Sequence, residues 1–121
     1  MSESVIFRTD ADASIGAGHT IRCLTVASAL RKRFIGEIHF LARSMHPALR
    51  EHIRAQGFRF TLISNPVWSE VEALDRATSS MPAHAIVLDS YIPELWEPSC
   101  QRKLRGLCEK LIGVAFDADK Q

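Results

Sequence analysis

Short apolar runs alternate with longer amphipathic segments five times along the chain. The apolar runs are rich in β-branched and aromatic residues, which predicts strands, and the segments between them repeat apolar positions at helical spacing. Strands are predicted at residues 4–9, 37–43, 58–63, 84–90 and 111–116. Helices are predicted at residues 19–33, 46–57, 67–77 and 94–110. This alternation is typical of a parallel sheet with helices on both faces, a three-layer Rossmann-like α/β domain of about five strands.

The length of 121 residues, without a linker or a repeat, indicates one domain over residues 1–121. Lys and Arg number 15 against 14 Asp and Glu, and this balance offers no basic face for nucleic acid. No apolar run approaches the ~20 residues of a membrane span, and the first residues, MSESVIF, lack the pattern of a secretory leader. Three cysteines at spacings that match no zinc or redox motif favour the reducing cytoplasm, and no metal or cofactor is indicated.

A glycine-containing loop connects the first predicted strand to the first predicted helix. Ligands of parallel α/β sheets bind at the carboxyl ends of the strands, where this loop lies. Gly16 and Gly18 can adopt positive φ and allow a ligand close to the backbone, where the N–H groups of the following helix attract an anion or an electron-rich oxygen. The sequence GAGHTI lacks the third glycine of the dinucleotide fingerprint, and the loop lacks the lysine of a P-loop. A binding loop and a tight structural turn both stay open.

His19 follows the glycines at the start of the helix and is a candidate general base. The positive end of the helix dipole disfavours its protonated form, whereas an orienting Asp10 or Asp12 would stabilise that form. Asp10 can instead bind sugar hydroxyls, and Asp12 can cap the loop. Arg22, one turn after His19, can reach a ligand phosphate or a loop carboxylate from the same helix face. A capping or packing role for His19 is the structural alternative.

Asp89 and Tyr91 end the fourth predicted strand, which is expected beside the first strand where the strand order reverses. Their spacing of two places the carboxylate and the phenol on the same side of an extended strand. Both are candidates for lining one crevice, with loop capping as the structural alternative for Asp89. The substrate contacts expected from these loops are Gly16, Gly18, Arg22 and Asp89.

The segment FRTDADASIGAGHTIRCLTVASAL, followed by VLDSY and LWE, resembles the N-terminal domain of the UDP-2,4-diacetamido-2,4,6-trideoxy-β-L-altropyranose hydrolase family of pseudaminic acid biosynthesis. That family includes related spore-coat polysaccharide biosynthesis proteins. The resemblance follows the element order along the whole chain. It implies the N-terminal half of a two-domain enzyme of glycosyltransferase-B shape, which releases UDP from the sugar without a metal and uses water in place of a sugar acceptor.

On this resemblance, the glycine-loop histidine of the family corresponds to His19, which would activate the water. The loop aspartate corresponds to Asp10, and the tyrosine corresponds to Tyr91, which would line the sugar site. The middle residue of the frequent DHY motif is Ser90 here, so a histidine at that position has no counterpart. The family's second domain, which holds the uridine, would come from a continuation of the reading frame or from a partner chain. Residues 1–121 alone are expected to show negligible hydrolysis, because half of the positioning groups would be missing.

Two other functions stay open. Transfer of the sugar to a sugar or lipid hydroxyl would use the same architecture, and an exposed apolar patch beside the glycine loop would favour a lipid acceptor. A non-catalytic binding or interaction domain would instead expose an apolar interface and self-associate.

Overall fold

The structure, a computed structural model that describes residues 4–34, 36–78 and 83–114, is built on a parallel sheet. Its strands are β1 (Ser4–Thr9), β2 (Glu37–Ala42), β3 (Arg59–Leu62), β4 (Ala83–Asp89) and β5 (Cys108–Gly113). They form one five-stranded sheet in the order β3-β2-β1-β4-β5, and every pairing is parallel. The order reverses direction between β1 and β4, so the carboxyl ends of these two strands flank the switch point.

Within the described residues, four α-helices cover the two faces of the sheet. They are α1 (Gly18–Arg31), α2 (Pro47–Ala55), α3 (Glu70–Ala77) and α4 (Pro98–Arg105). Because side chains alternate along a strand, Val5 and Phe7 of β1 pack with α1 and α2, whereas Ile6 packs with α3 and α4. These two apolar layers confirm the predicted three-layer Rossmann-like α/β arrangement. Among the described residues, none of the helices has the length and apolar character that crossing a membrane requires.

The carboxyl-terminal part of the chain departs from the predicted boundaries. The helix predicted at residues 94–110 is shorter, because Pro98 occupies the first turn of α4 and Gly106 caps its end. Strand β5 therefore begins at Cys108, three residues before the predicted start. Residues 115–116 of the predicted strand lie outside the described residues.

Helix α3 also begins later than predicted, at Glu70 instead of residue 67. The Ser69 side chain accepts a hydrogen bond from the Glu72 backbone N–H, and the Glu72 carboxylate accepts one from the Ser69 backbone N–H. This reciprocal capping box satisfies two of the N–H groups that the start of a helix leaves unpaired. It fixes the start of α3 and places Glu70 at the first helical position.

Candidate functional site

An open pocket of about 270 Å³ lies at the carboxyl end of the sheet, between β1 and β4. Its walls come from the loop after β1, the first turn of α1 and the loop after β4. The lining residues are Asp10, Ile15, His19, Asp89, Ser90, Tyr91, Ile92 and Pro93. The pocket therefore occupies the switch point at which doubly wound sheets bind their ligands.

The register of the sheet brings the two pocket-forming loops to the same level. Thr9, the last residue of β1, pairs with Asp89, the last residue of β4. The hydroxyls of Thr9 and Thr20 lie 3.3 Å apart and join β1 to the first turn of α1. As a result, His19 on α1 faces the end of β4, which is 70 positions away in the sequence.

His19 and Asp89 form a buried hydrogen-bonded pair through Nδ1 and Oδ1. Burial opposes the ionisation of Asp89, but hydrogen bonds from Arg22 and His19 outweigh it and lower the pKa of the carboxyl. An ionised carboxylate accepts hydrogen bonds only, so we assign a proton to Nδ1, the ring nitrogen that faces Asp89. A carboxylate that fixes the tautomer and ring orientation of a histidine is the arrangement by which enzymes hold a general base.

Arg22 completes this cluster by forming a two-pronged ion pair with Asp89. Its Nε donates to Oδ2 at 2.9 Å, and its Nη2 donates to Oδ1 at 2.8 Å. The hydrogen bonds to Asp89 raise the pKa of Arg22. The side chain is half exposed, whereas Asp89 is fully buried. Arg22 was predicted to reach either a ligand phosphate or a loop carboxylate, and the structure shows it paired with a carboxylate. The partner is Asp89 at the end of β4 and not an acidic residue of the glycine loop.

The two acidic residues of the glycine loop accept hydrogen bonds from Arg8 and from the loop after β2. Oδ1 of Asp10 accepts hydrogen bonds from Arg8 Nη1 and from the backbone N–H groups of Arg43 and Ser44. Asp12 accepts from the Ser44 hydroxyl and from two backbone N–H groups of its own loop, and these bonds lower its pKa. The expected capping role of Asp12 is confirmed. Nδ1 of His19 is bonded to Asp89, a carboxylate outside this loop, and orientation of the ring by Asp10 or Asp12 stays a prediction.

The two glycines differ from each other. Gly16 has the predicted positive φ, 83°, whereas Gly18 is the first residue of α1 and does not, so the prediction for Gly18 is wrong. Gly16 lines a separate pocket, shared with Asp12 and His46, on the other side of the loop. A Cβ atom added at either glycine would meet no heavy atom within 4 Å. Space for a ligand therefore exists beside both residues, although neither lines the His19 pocket.

Tyr91 projects from the loop after β4 with 64% of its surface exposed. Its ring meets the His19 ring edge to face, with the centroids 4.6 Å apart and the planes at 90°. Strand β4 ends at Asp89, so the prediction that a continuing strand aligns Asp89 and Tyr91 is wrong. The chain turns instead at Ser90, whose hydroxyl accepts from the Ile92 N–H, and this turn still brings both residues into the pocket wall.

A buried charge network beside the pocket escaped the sequence analysis. Arg8 is completely buried and donates to the carboxylates of Asp10 and Glu70, and Glu70 also accepts from Arg43. The signal for it was the placement of Arg8 inside the apolar strand VIFRT, since a charged residue there is rarely buried without a partner. Glu70 itself gave no signal, because an acidic residue in the first turn of a helix is ordinary.

No group of three or more His, Cys, Asp or Glu side chains within residues 4–34, 36–78 and 83–114 is arranged to hold a metal ion. What the pocket offers chemically is an oriented imidazole, a carboxylate at the end of β1 and a phenol. Comparisons with known protein families, with curated proteins and with solved structures give no match.

Proposed function

We propose that this chain provides the sugar-side half of the active cleft of a nucleotide-sugar hydrolase. The expected substrate is UDP-2,4-diacetamido-2,4,6-trideoxy-β-L-altropyranose, an intermediate of surface-polysaccharide biosynthesis, and the product is UDP. The substrate rests on the resemblance of the GAGHTIR and DSY segments to that family. The observation that carries the chemistry is the His19 imidazole, held by Asp89 at Nδ1 in a pocket at the switch point of the sheet.

In the proposed reaction, His19 acts as the general base through Nε2. The oxygen of a water molecule attacks the anomeric carbon of the sugar while Nε2 takes one of its protons. The bond between the anomeric carbon and the β-phosphate oxygen breaks, and UDP leaves with the electron pair. Asp89 stabilises the imidazolium that forms, as buried carboxylates do in histidine-dependent hydrolases.

The other pocket residues are given binding roles. Asp10 accepts a hydrogen bond from a sugar hydroxyl or an acetamido N–H, since its carboxylate lines the pocket. Tyr91 contacts the sugar beside His19. Arg22 is assigned to holding Asp89, because two of its N–H groups are already committed to that carboxylate. Gly16 and Gly18 leave open space on the loop for the diphosphate end of the substrate.

We also propose a second domain, which holds the uridine, and a cytoplasmic location for the protein. Both follow from the resemblance to the hydrolase family. The three cysteines are free thiols, which supports a reducing compartment.

Glycosyl transfer is the second candidate function, and one observation favours it. Ile15 in the glycine loop is 41% exposed, and Ile21 in the first turn of α1 is 52% exposed. Apolar side chains beside the pocket are what a lipid-linked acceptor would need. In that reaction, His19 would take the proton of an acceptor hydroxyl in place of water.

Water labelled with heavy oxygen separates the two reactions. The assay follows UDP release from the UDP-linked sugar by the protein that carries this chain, supplied with its second domain from the same reading frame or as a separate chain. Hydrolysis by attack at the anomeric carbon predicts UDP release without an added acceptor, a heavy oxygen atom in the sugar when it is analysed before its anomeric oxygen exchanges with water, and no label in UDP. Release that requires an acceptor and yields the sugar bonded to that acceptor would contradict hydrolysis and support transfer, whereas label in UDP would place the attack at phosphorus and contradict the proposed step.

A further inference from the structure

Glu70 lies at the centre of the buried charge network that borders the pocket. It is the first residue of α3 and is 1% exposed. Its carboxylate accepts from Arg8 through Nε at 2.7 Å and Nη2 at 3.2 Å, and from Nε of Arg43. Burial opposes its ionisation, but these arginine contacts outweigh burial and lower the pKa of Glu70. One edge of the Arg8 guanidinium is therefore bound to a fixed carboxylate.

The opposite end of the Arg8 guanidinium reaches the pocket through Asp10. Arg8 Nη1 donates to Oδ1 of Asp10 at 3.0 Å. The same oxygen accepts from the backbone N–H of Arg43 at 2.7 Å and of Ser44 at 3.1 Å. All three of these hydrogen bonds fall on Oδ1. Asp10 lines the pocket, and we assign its other oxygen, Oδ2, to the contact with a bound ligand.

Glu70 is also tied to the opposite pocket wall. Its backbone N–H donates to Oε2 of Glu94 at 2.9 Å. Glu94 belongs to the short 3₁₀ helix Pro93–Trp96, whose first residue, Pro93, lines the pocket. A single residue of α3 is therefore connected to both sides of the pocket.

We propose that Glu70 is a positioning residue which, through Arg8, turns Oδ2 of Asp10 towards the ligand. This inference rests on the proposed function for its ligand, a sugar that donates a hydroxyl or amide hydrogen. Without the charge of Glu70, the Nε edge of Arg8 loses its carboxylate. Asp10 is then the carboxylate that can bind the buried guanidinium through two N–H groups, those of Nη1 and Nη2, and Arg–carboxylate pairs favour this two-pronged geometry. Oδ2 would turn to Arg8 and away from the pocket.

The test compares Glu70→Gln with Asp75→Asn, a charge-removing control at an exposed position of the same helix. In the UDP-release assay, Glu70→Gln should raise KM about tenfold with a smaller change in kcat, since one ground-state hydrogen bond to the sugar is lost. The pH profile of kcat should stay unchanged, because the substitution removes a contact made in binding and not a group that takes part in the chemical step. Glu70→Asp, which keeps the negative charge, should have a KM close to the wild-type value.

A second readout needs no substrate. The amide resonance of Ser44, whose N–H group binds Asp10, should shift in Glu70→Gln and stay in place in Asp75→Asn. An unchanged Ser44 amide resonance, or an unchanged KM, would overturn the inference. If the wild-type protein releases no UDP, the proposed function fails, and the Ser44 amide resonance decides the positioning role by itself. If Glu70→Gln does not fold, the same measurements on Glu70→Ser, which also removes the charge, decide it: a shift of the Ser44 amide supports the role, and none overturns it.

Discussion

Replacing Asp89 with asparagine tests the buried cluster that holds His19. The side chain keeps its shape but loses its charge, and its new NH₂ group must face a donor, either the His19 Nδ1–H or the Arg22 fork. Removing one partner of a fully buried ion pair costs about 3–5 kcal/mol, and a hydrogen bond to a charged group contributes about 1.5–3 kcal/mol. Because the Arg22 side chain is half exposed and can bind water instead, we expect a loss of about 2–3 kcal/mol in the free energy of unfolding.

Urea unfolding at pH 7 measures this loss, with Asp75→Asn as the exposed control, expected within ~0.5 kcal/mol of the wild type. The difference between Asp89→Asn and the wild type should shrink in acid. The folded-state pKa of Asp89 is lower than the ordinary value of 3.8, so its stabilisation is present above 3.8 and is lost as the pH falls through the folded value. An Asp89→Asn protein as stable as the control, or a difference that grows in acid, would show that the charge of Asp89 does not stabilise the fold.

Three further predictions concern single residues elsewhere in the fold. Gly16→Ala should lower the free energy of unfolding in urea by about 1 kcal/mol, because φ is 83° at this residue. Gly18→Ala should be neutral or slightly stabilising, because Gly18 starts a helix and faces open space. Equal costs for the two substitutions would contradict the difference in backbone conformation between the two glycines. Burial raises the pKa of the Cys23 thiol to about 12, so this thiol should resist alkylation by iodoacetamide at pH 8 until the chain unfolds. Mass spectrometry follows the reaction, and rapid alkylation of Cys23 in the native protein would contradict this prediction. Burial lowers the pKa of His39 to about 4, so the unfolded chain binds more protons than the folded chain between pH 6.5 and 4. The free energy of unfolding of the wild type should therefore fall by roughly 3 kcal/mol over that interval relative to His39→Gln. Parallel profiles of stability against pH for the two proteins would contradict this prediction.

The order of elements was predictable from the sequence because each strand and helix carries its own local signal. The apolar runs of β1, β2 and β4 and the proline and glycine at the ends of α2 are read without knowledge of the neighbours. The end of α4 was misjudged although a signal existed. Gly106 marks it, and the residues after Gly106 continue an apolar pattern that suits either a helix or a strand.

The membership of the pocket was predictable, but its pairings were not. Parallel-sheet topology is enough to expect His19, Asp89 and Tyr91 at one edge of the sheet. Which carboxylate holds His19 depends on the register of β1 with β4, where Thr9 lies opposite Asp89, and no local pattern encodes that register. The network around Glu70 was inaccessible for the same reason, since Arg8 and Glu70 are separated by 62 positions.

The rate of UDP release by the His19→Ala protein tests the catalytic role of His19 most directly. The control is His52→Ala, which replaces an exposed histidine on α2. The UDP-linked diacetamido sugar is the substrate, and the protein that carries this chain is assayed with its second domain. We expect a fall of at least ~100-fold for His19→Ala, the usual contribution of a general base, and an unchanged rate for His52→Ala. A His19→Ala protein that releases UDP at the wild-type rate would show that the histidine bonded to Asp89 is not the catalytic base.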